Sequence, residues 1–404
     1  MFNNRFQNLK RVKVAPLTLE ILHKVGDSVV SVDETTGELF TFTGNKQDLN
    51  ADNTLADKYA LQSVARLALK GYRVAKCQRL PISKLHHISV YKSKFDSAFF
   101  GGLQTCGSVW HCPVCAAKIS ERRVSEVQQA IDYTQLIGGF VSFVTRTVPH
   151  THNDSLKEIL VKFRKAEEYL KGNRNYKKCV SNFSIFGTIK VFEITVGING
   201  WHLHVHEICL HKPVVITDIY TALESRMYMF WAVAAVKAGF ECPSRAHGLQ
   251  VQNGDFAADY LAKYGRPTSS NWTVSREVTK QHIKKAKAGF SPFDLMRAYR
   301  DSPSDFLLGL ITEYGQSMHG ARQLIWSRGL KKLVQVEEIS DVEIAEKLES
   351  ESILLGLISL NQWRFIIKND YRATVLIIAK NQGWSELSAF LSAIGAPPFT
   401  DIIL

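Results

Sequence analysis

The sequence predicts an α+β fold, in which a group of antiparallel strands is flanked by helices, preceded by a small cysteine-rich segment and followed by a helical region. Three observations carry this. Two alternating runs, FSIFGTIKVFEITVG and WHLHVHEICL, flank the dipeptide Asn199-Gly200, a strong hairpin signal. Helix-forming stretches lie on both sides of that hairpin. Four of the seven cysteines fall within residues 77–125.

In chain order, residues 1–76 are weakly patterned and carry no functional signal. SVVSVDETTGELFTFTG alternates around a Thr-Gly turn and reads as a hairpin, and ADKYALQSVARLALKGYRV has the apolar spacing of a helix ending near Gly71. Residues 77–125 form the cysteine-rich segment and run into a helix, AAKISERRVSEVQQAIDYTQ. GGFVSFVTRTV, rich in β-branched and aromatic residues and bounded by glycines and Pro149, predicts a strand. Residues 155–182 predict a basic helix, 216–240 an apolar one and 254–265 a short one. Further helices are expected from about 293 and over 305–325. A charge shift marks a boundary near 335, beyond which 336–404 opens acidic and continues with helical patterning.

Composition narrows the function. With 50 Lys+Arg against 38 Asp+Glu, the 404-residue chain carries a formal charge of +12, which favours a polyanionic partner such as nucleic acid. At 45% hydrophobic and 22% charged residues it is neither disordered nor fibrous. No apolar run approaches the ~18 residues of a membrane helix, and the first residues lack a secretory signal, so an intracellular address with no membrane partner is expected.

Four constellations could carry chemistry. In Trp201-His202-Leu203-His204-Val205-His206, a strand puts His202, His204 and His206 on one face and Leu203 and Val205 on the other. Glu193, across the turn, could add an oxygen ligand suited to Mg²⁺ or Mn²⁺. A helix over Tyr260-Leu261-Ala262-Lys263-Tyr264 puts the two tyrosines on one face, beside a lysine that could hold a phosphate or support a phenolate. Cys106, Cys112 and Cys115 suit Zn²⁺, with Cys77 or His111 as the fourth ligand. Cys179, Cys209 and Cys242 are isolated and read as core. Lastly, basic residues (Lys118, Arg122, Arg123, Arg164, Lys165, Arg174, Lys177, Lys178, Lys280, Lys284, Lys285, Lys287) lie near Trp110, Tyr169 and Tyr176, the pattern of a groove that stacks single-stranded bases.

Taken in order, CGSVWHCPVCAAKI, FVTRTVPH, FEITVGINGWHLHVH, YLAKYG, GFSPFDL and EYGQSMHGARQLIWSRGL resemble the rolling-circle replication initiators of bacterial plasmids, a branch of the HUH endonucleases. The resemblance spans roughly 100–335. It implies a central five-stranded antiparallel sheet of HUH type, with the metal histidines on a central strand and the nucleophilic tyrosine on a helix. His204 and His206 match the metal pair, and Glu193 or His202 the third ligand. Leu203 stands where relatives often have Pro. Tyr264 matches the nucleophile. Tyr260 stands where one branch has Glu, as in two-tyrosine initiators, and Lys263 would neutralise phosphate. The expected domains are 1–76 of unknown role, 77–125 a zinc-binding segment, 126–335 the endonuclease and 336–404 a helical C-terminal region, the first and last outside the resemblance.

The implied activity is a metal-dependent nick in one strand of a single-stranded or hairpin plasmid origin, leaving a 5′-phosphotyrosine and a 3′-hydroxyl primer. The implied partners are a host helicase, DNA polymerase and single-strand-binding protein, in the bacterial cytoplasm, with homo-oligomerisation left open. The alternatives are an HUH transposase or relaxase, and a non-enzymatic zinc-containing DNA-binding regulator.

Overall fold

The structure, a computed structural model, describes residues 23–25, 28–32, 39–42, 46–83, 87–93, 97–197, 199–255, 257, 290–346 and 352–399, with backbone alone up to residue 54. The chain divides into two compact units, one from Ala117 to Ser340, the other taking the residues before Ala117 and those from Asp341 onward.

The described residues open with an antiparallel sheet of β1 (His23–Val25), β2 (Ser28–Val32) and β3 (Leu39–Phe42), in which β2 and β3 form the hairpin that the alternating residues predict. Helix α1 (Lys46–Ala68) follows where helical spacing predicts one. Strands β4 (Ile88–Lys92) and β5 (Ala98–Gly101) then pair antiparallel. The sequence does not announce this pair, because each run is only four or five residues long and carries no turn dipeptide. Helix α2 (Pro113–Leu136) begins on a proline, whose missing N–H costs nothing at a first helical position.

The next elements are β6 (Phe140–Thr147), α3 (Leu156–Gly172), α4 (Arg174–Asn182), β7 (Ile185–Gly197), β8 (Gly200–His211), α5 (Ile219–Lys237), β9 (Leu249–Asn253), α6 (Pro292–Asp301), α7 (Asp305–Ser317), β10 (Leu324–Trp326) and α8 (Leu330–Leu333). The helix predicted over 155–182 is two helices. Asn173 ends α3, and its side chain accepts hydrogen bonds from the Asn175 and Tyr176 N–H groups to cap α4. The helix predicted over 305–325 stops at Ser317, and β10 takes the last residues. Five strands form one antiparallel sheet in the order β10-β7-β8-β6-β9, with β8 at its centre.

The two faces of this sheet are covered differently. On one, Val141, Phe143, Ile189, Val191, Ile208 and Leu210 pack with Val127, Ala130 and Ile131 of α2. On the other, α3 and α5 cover Leu203, Val205 and Glu207, all buried. Gly197 pairs with Gly200, so the hairpin closes one residue earlier than an Asn-Gly-centred turn would. The glycine is still needed: φ at Gly200 is +90°, and a Cβ there would lie 2.8 Å from the Thr151 carbonyl oxygen.

Finally, α9 (Asp341–Glu346), β11 (Ile353–Ile358), α10 (Leu360–Lys368), α11 (Arg372–Asn381) and α12 (Trp384–Ala393) return to the unit that holds β4 and β5. β11, read as helical from the sequence, pairs with β4 to give the order β11-β4-β5. Ile88, Val90 and Phe100 share one core with Ile358, Trp363, Val375 and Leu376. The cysteine-rich segment and the C-terminal segment are thus one folded unit. Among the described residues, no helix is long and apolar enough to cross a membrane.

Candidate functional site

Strand alternation fixes the first cluster. In β8, His202, His204 and His206 point to one face, and their cross-strand partners on β7 are Thr195, Glu193 and Val191. Glu193 therefore stands opposite His204 and reaches diagonally to His206, with its Oε2 2.8 Å from Nε2. On β6, Thr145 pairs with His206 and places its hydroxyl 3.0 Å from Nδ1. A carboxylate only accepts, so His206 donates from Nε2 and accepts from Thr145 at Nδ1. A hydroxyl can serve either tautomer, so Nε2 can exchange its proton for a metal without loss of the Thr145 bond. Phe143 stacks on the His206 ring at 5.0 Å and fixes its plane.

A second relay orients His202. His150, just after β6, donates from Nδ1 to the Asn199 carbonyl at 3.1 Å. Its Nε2 must then accept, and His202 Nδ1 donates to it at 2.6 Å. The lone pair of His202 is thereby on Nε2. Burial, then the His204 and His150 charges, lower the His202 pKa to about 3, so the ring is neutral at physiological pH. Burial likewise lowers His150.

The donor set of imidazoles and one carboxylate fits a divalent cation that takes nitrogen and oxygen ligands. It is more open than a finished metal centre. The His204 and His206 rings stand parallel with centroids 5.9 Å apart, while those of His202 and His204 are 4.1 Å apart. Among the described residues, the group of three or more ligand side chains whose donor atoms all lie within 4.8 Å is the cysteine cluster below.

Behind the histidines, the opposite face of the sheet carries a buried ionic network. Arg146 donates to Glu207 at 2.6 Å and to Glu167 of α3 at 2.8 Å, and Lys190 also contacts Glu167. Burial alone would lower the Arg146 pKa, but the Glu207 and Glu167 carboxylates outweigh it and raise the group. Its guanidinium also lies over the Trp231 ring of α5.

The second cluster is the predicted cysteine set. Cys77, Cys106, Cys112 and Cys115 are all buried and converge, with Sγ–Sγ separations of 3.7 Å (77–112), 3.5 Å (77–115) and 3.6 Å (106–115). A disulfide would need about 2.05 Å. Four sulfurs at ~2.3 Å around a tetrahedral zinc stand about 3.8 Å apart, so the cluster already has the required dimensions. Cys112 precedes α2 and Cys115 lies in its first turn, where the helix N-terminus favours thiolate. Burial would raise the Cys112 pKa, but hydrogen bonds from Cys106, Cys115 and Cys77 prevail and hold it below the ordinary thiol value. His111 is outside the group and packs edge-on against Tyr72. This buried four-cysteine group can hold a metal such as zinc.

Tyr260, Lys263 and Tyr264 lie outside the described residues, as do Lys280, Lys284, Lys285 and Lys287. Trp110 and Tyr176, expected as stacking platforms, are buried, as hydrophobic aromatics in a packed core usually are. Tyr169 is partly exposed, with Lys237 over its ring at 4.4 Å. Arg122 and Arg123 are committed to Glu126. Cys179 and Cys209 are core, as expected, but Cys242 is exposed. Sequence reasoning missed Thr145 and His150. The available signal was alternation along FVTRTVPH, which sets Phe143 and Thr145 on one face, with His150 soon after.

A "Protein rep" from Streptomyces lividans is similar to this chain. It is 25% identical over 295 residues, covering 58% of this chain and 65% of that protein. A "Neomycin resistance protein" from Streptomyces cyanogenus is 28% identical over 134 residues, 27% of this chain and 31% of its own length. The chain thus spans less than two thirds of these curated relatives. No family model and no solved structure matches.

Proposed function

We propose that the chain is a plasmid rolling-circle replication initiator of the HUH type, which nicks one origin strand. The observation that carries this reading is Glu193 paired with His204 and bonded to His206 on the central strand of a five-stranded antiparallel sheet. The likeness to a Rep-named protein supports it.

His204 and His206, with Glu193 and His202 beside them, would hold Mg²⁺ or Mn²⁺. When bound, that ion supplies Lewis-acid polarisation of the scissile phosphate. Thr145 and His150 orient the ligand nitrogens. Tyr264 loses its phenolic proton and its oxygen attacks phosphorus. The P–O3′ bond breaks, the 3′-oxygen takes up a proton, and a 5′-phosphotyrosine and a 3′-hydroxyl primer result. Lys263 neutralises phosphate charge, and Tyr260 is a second nucleophile for termination. Residues 126–335 form the endonuclease, and zinc in the four-cysteine group holds the other unit together. The substrate is single-stranded or hairpin origin DNA in a bacterial cytoplasm, with host helicase, polymerase and single-strand-binding protein acting after the nick.

The test is conversion of a supercoiled plasmid bearing the cognate origin to an open circle in Mg²⁺ or Mn²⁺, with a covalent protein–DNA adduct that Tyr264→Phe abolishes. An unchanged adduct in that variant assigns the nucleophile elsewhere. Absence of nicking with every origin of the replicon refutes the enzyme.

A further inference from the structure

Arg372 has no place in the chemistry above, yet it is wholly buried. It lies in the first turn of α11, 257 residues beyond Cys115, and its Nη1 donates to Gln62 Oε1 at 2.6 Å. The amide nitrogen of that same Gln62 donates to Cys112 Sγ at 3.1 Å. The guanidinium also lies 4.6 Å from the Tyr59 ring centre. The carboxylate it meets among the described residues, Asp370, is 3.3 Å away and half exposed, so its charge is screened by water. The Arg372 Nε has no hydrogen-bond partner. The other hydrogen bonds of Arg372 go to neutral groups, the Gln78 carbonyl at 3.4 Å and the Ser63 hydroxyl at 3.3 Å. A buried cation with so weak a counter-ion is costly, and a second anion nearby would offset that cost.

The cysteine cluster supplies that anion. Four thiolates around Zn²⁺ carry a net charge of 2 − 4 = −2, buried in the same unit as Arg372. We propose that Arg372, acting through Gln62, is the counter-charge of a zinc tetrathiolate, so that the C-terminal segment completes the metal site. The inference rests on the reading that the cysteines hold zinc. It makes Arg372 a positioning residue: its single charge offsets half of the cluster's −2, and its bond turns the Gln62 amide so that an N–H faces Cys112. Cys106 N–H, which donates to Cys77 Sγ at 3.3 Å, is the backbone equivalent.

The experiment is a zinc competition titration of the full chain against a chromophoric chelator, with circular dichroism confirming the fold. The wild type takes one zinc. Arg372→Gln, which keeps polarity but removes charge, lowers affinity at least tenfold, within the 10–100-fold range of outer-shell changes. Arg372→Lys and Asp370→Asn stay within about threefold of wild type. Gln62→Glu, which replaces the N–H with a negative charge, also weakens zinc at least tenfold and serves if Arg372→Gln fails to fold. A wild-type chain that takes no zinc sinks the cysteine reading itself. Zinc-loaded wild type with unchanged affinity in Arg372→Gln, or in Gln62→Glu where only that variant folds, overturns the counter-charge alone. So does a loss in Asp370→Asn equal to that in Arg372→Gln, which would make Asp370 the true partner.

Discussion

Replacing Arg146 by Met tests whether the network behind β8 supports the histidine face. Arg146, Lys190, Glu167 and Glu207 are buried, and their charges sum to zero, two positive against two negative. Removing Arg146 leaves a net −1 in the core and strips Glu207 and Glu167 of the guanidinium that bridges them. Breaking a buried pair from one side costs about 3–5 kcal/mol. Loss of the cation over Trp231, 5.7 Å from its ring centre, adds about 1 kcal/mol. At roughly 2–4 °C per kcal/mol for a unit of this size, the melting transition drops on the order of 10 °C. Calorimetry of the full chain reads the shift, and hydrogen exchange of the β8 amides assigns it. Arg146→Met combined with Glu207→Gln restores neutrality and recovers at least about 2 kcal/mol of the loss. A single variant that loses under ~1 kcal/mol, or a double no better than the single, would refute the argument.

Three further outcomes follow from the same structure. Burial holds His211 at about 4, below its usual 6.5, so the native state refuses a proton that the unfolded chain accepts. Stability is therefore flat above pH ~6.5 and falls as pH drops towards 4, by about 2 kcal/mol at pH 5 from this residue. Urea midpoints at pH 7 and pH 5 measure the drop, and an undiminished difference in His211→Gln counts against it. Thr145→Val leaves His206 Nδ1 without its hydroxyl and weakens Mn²⁺ binding at least tenfold by calorimetric titration, with an equal affinity as the contrary result. Gly200→Ala forces a side chain to φ +90° against the Thr151 carbonyl and costs about 1–3 kcal/mol, read as a lowered melting temperature.

What was legible in the sequence was periodic. The three histidines, the hairpin and the Cys112/Cys115 pair all obey short-range rules, and alternation correctly buries Leu203 and Val205 opposite the histidines. The elements that sequence reading missed are short or depend on distant partners. β9, β10 and β11 are three to six residues long, and each is a strand because a neighbour offers an edge to pair with. Arg372 reads as a solvated helix residue until Gln62, 310 positions away, is found beside it. His150 lies beyond the end of β6, where no periodicity assigns it a face. Trp110 and Tyr176 fail in the opposite sense, because aromatic residues near lysines look like base platforms whether or not they are buried.

Register is the property on which the histidine site depends most. A one-residue slip of β8 would turn His202, His204 and His206 towards α3 and α5, and would carry Glu207 away from Arg146. Three contacts oppose that slip, and they act at different points along the strand. Gly200 fixes the hairpin end, because a side chain there would strike the Thr151 carbonyl. The Thr145–His206 pair pins the histidine face at mid-strand. Arg146–Glu207 pins the opposite face one residue further on, where misalignment would strand a buried charge. The ionic network and the histidine face are thus two readings of one alternating pattern. A variant that damages the network would lose the histidine alignment together with stability, even though none of its side chains touches the site.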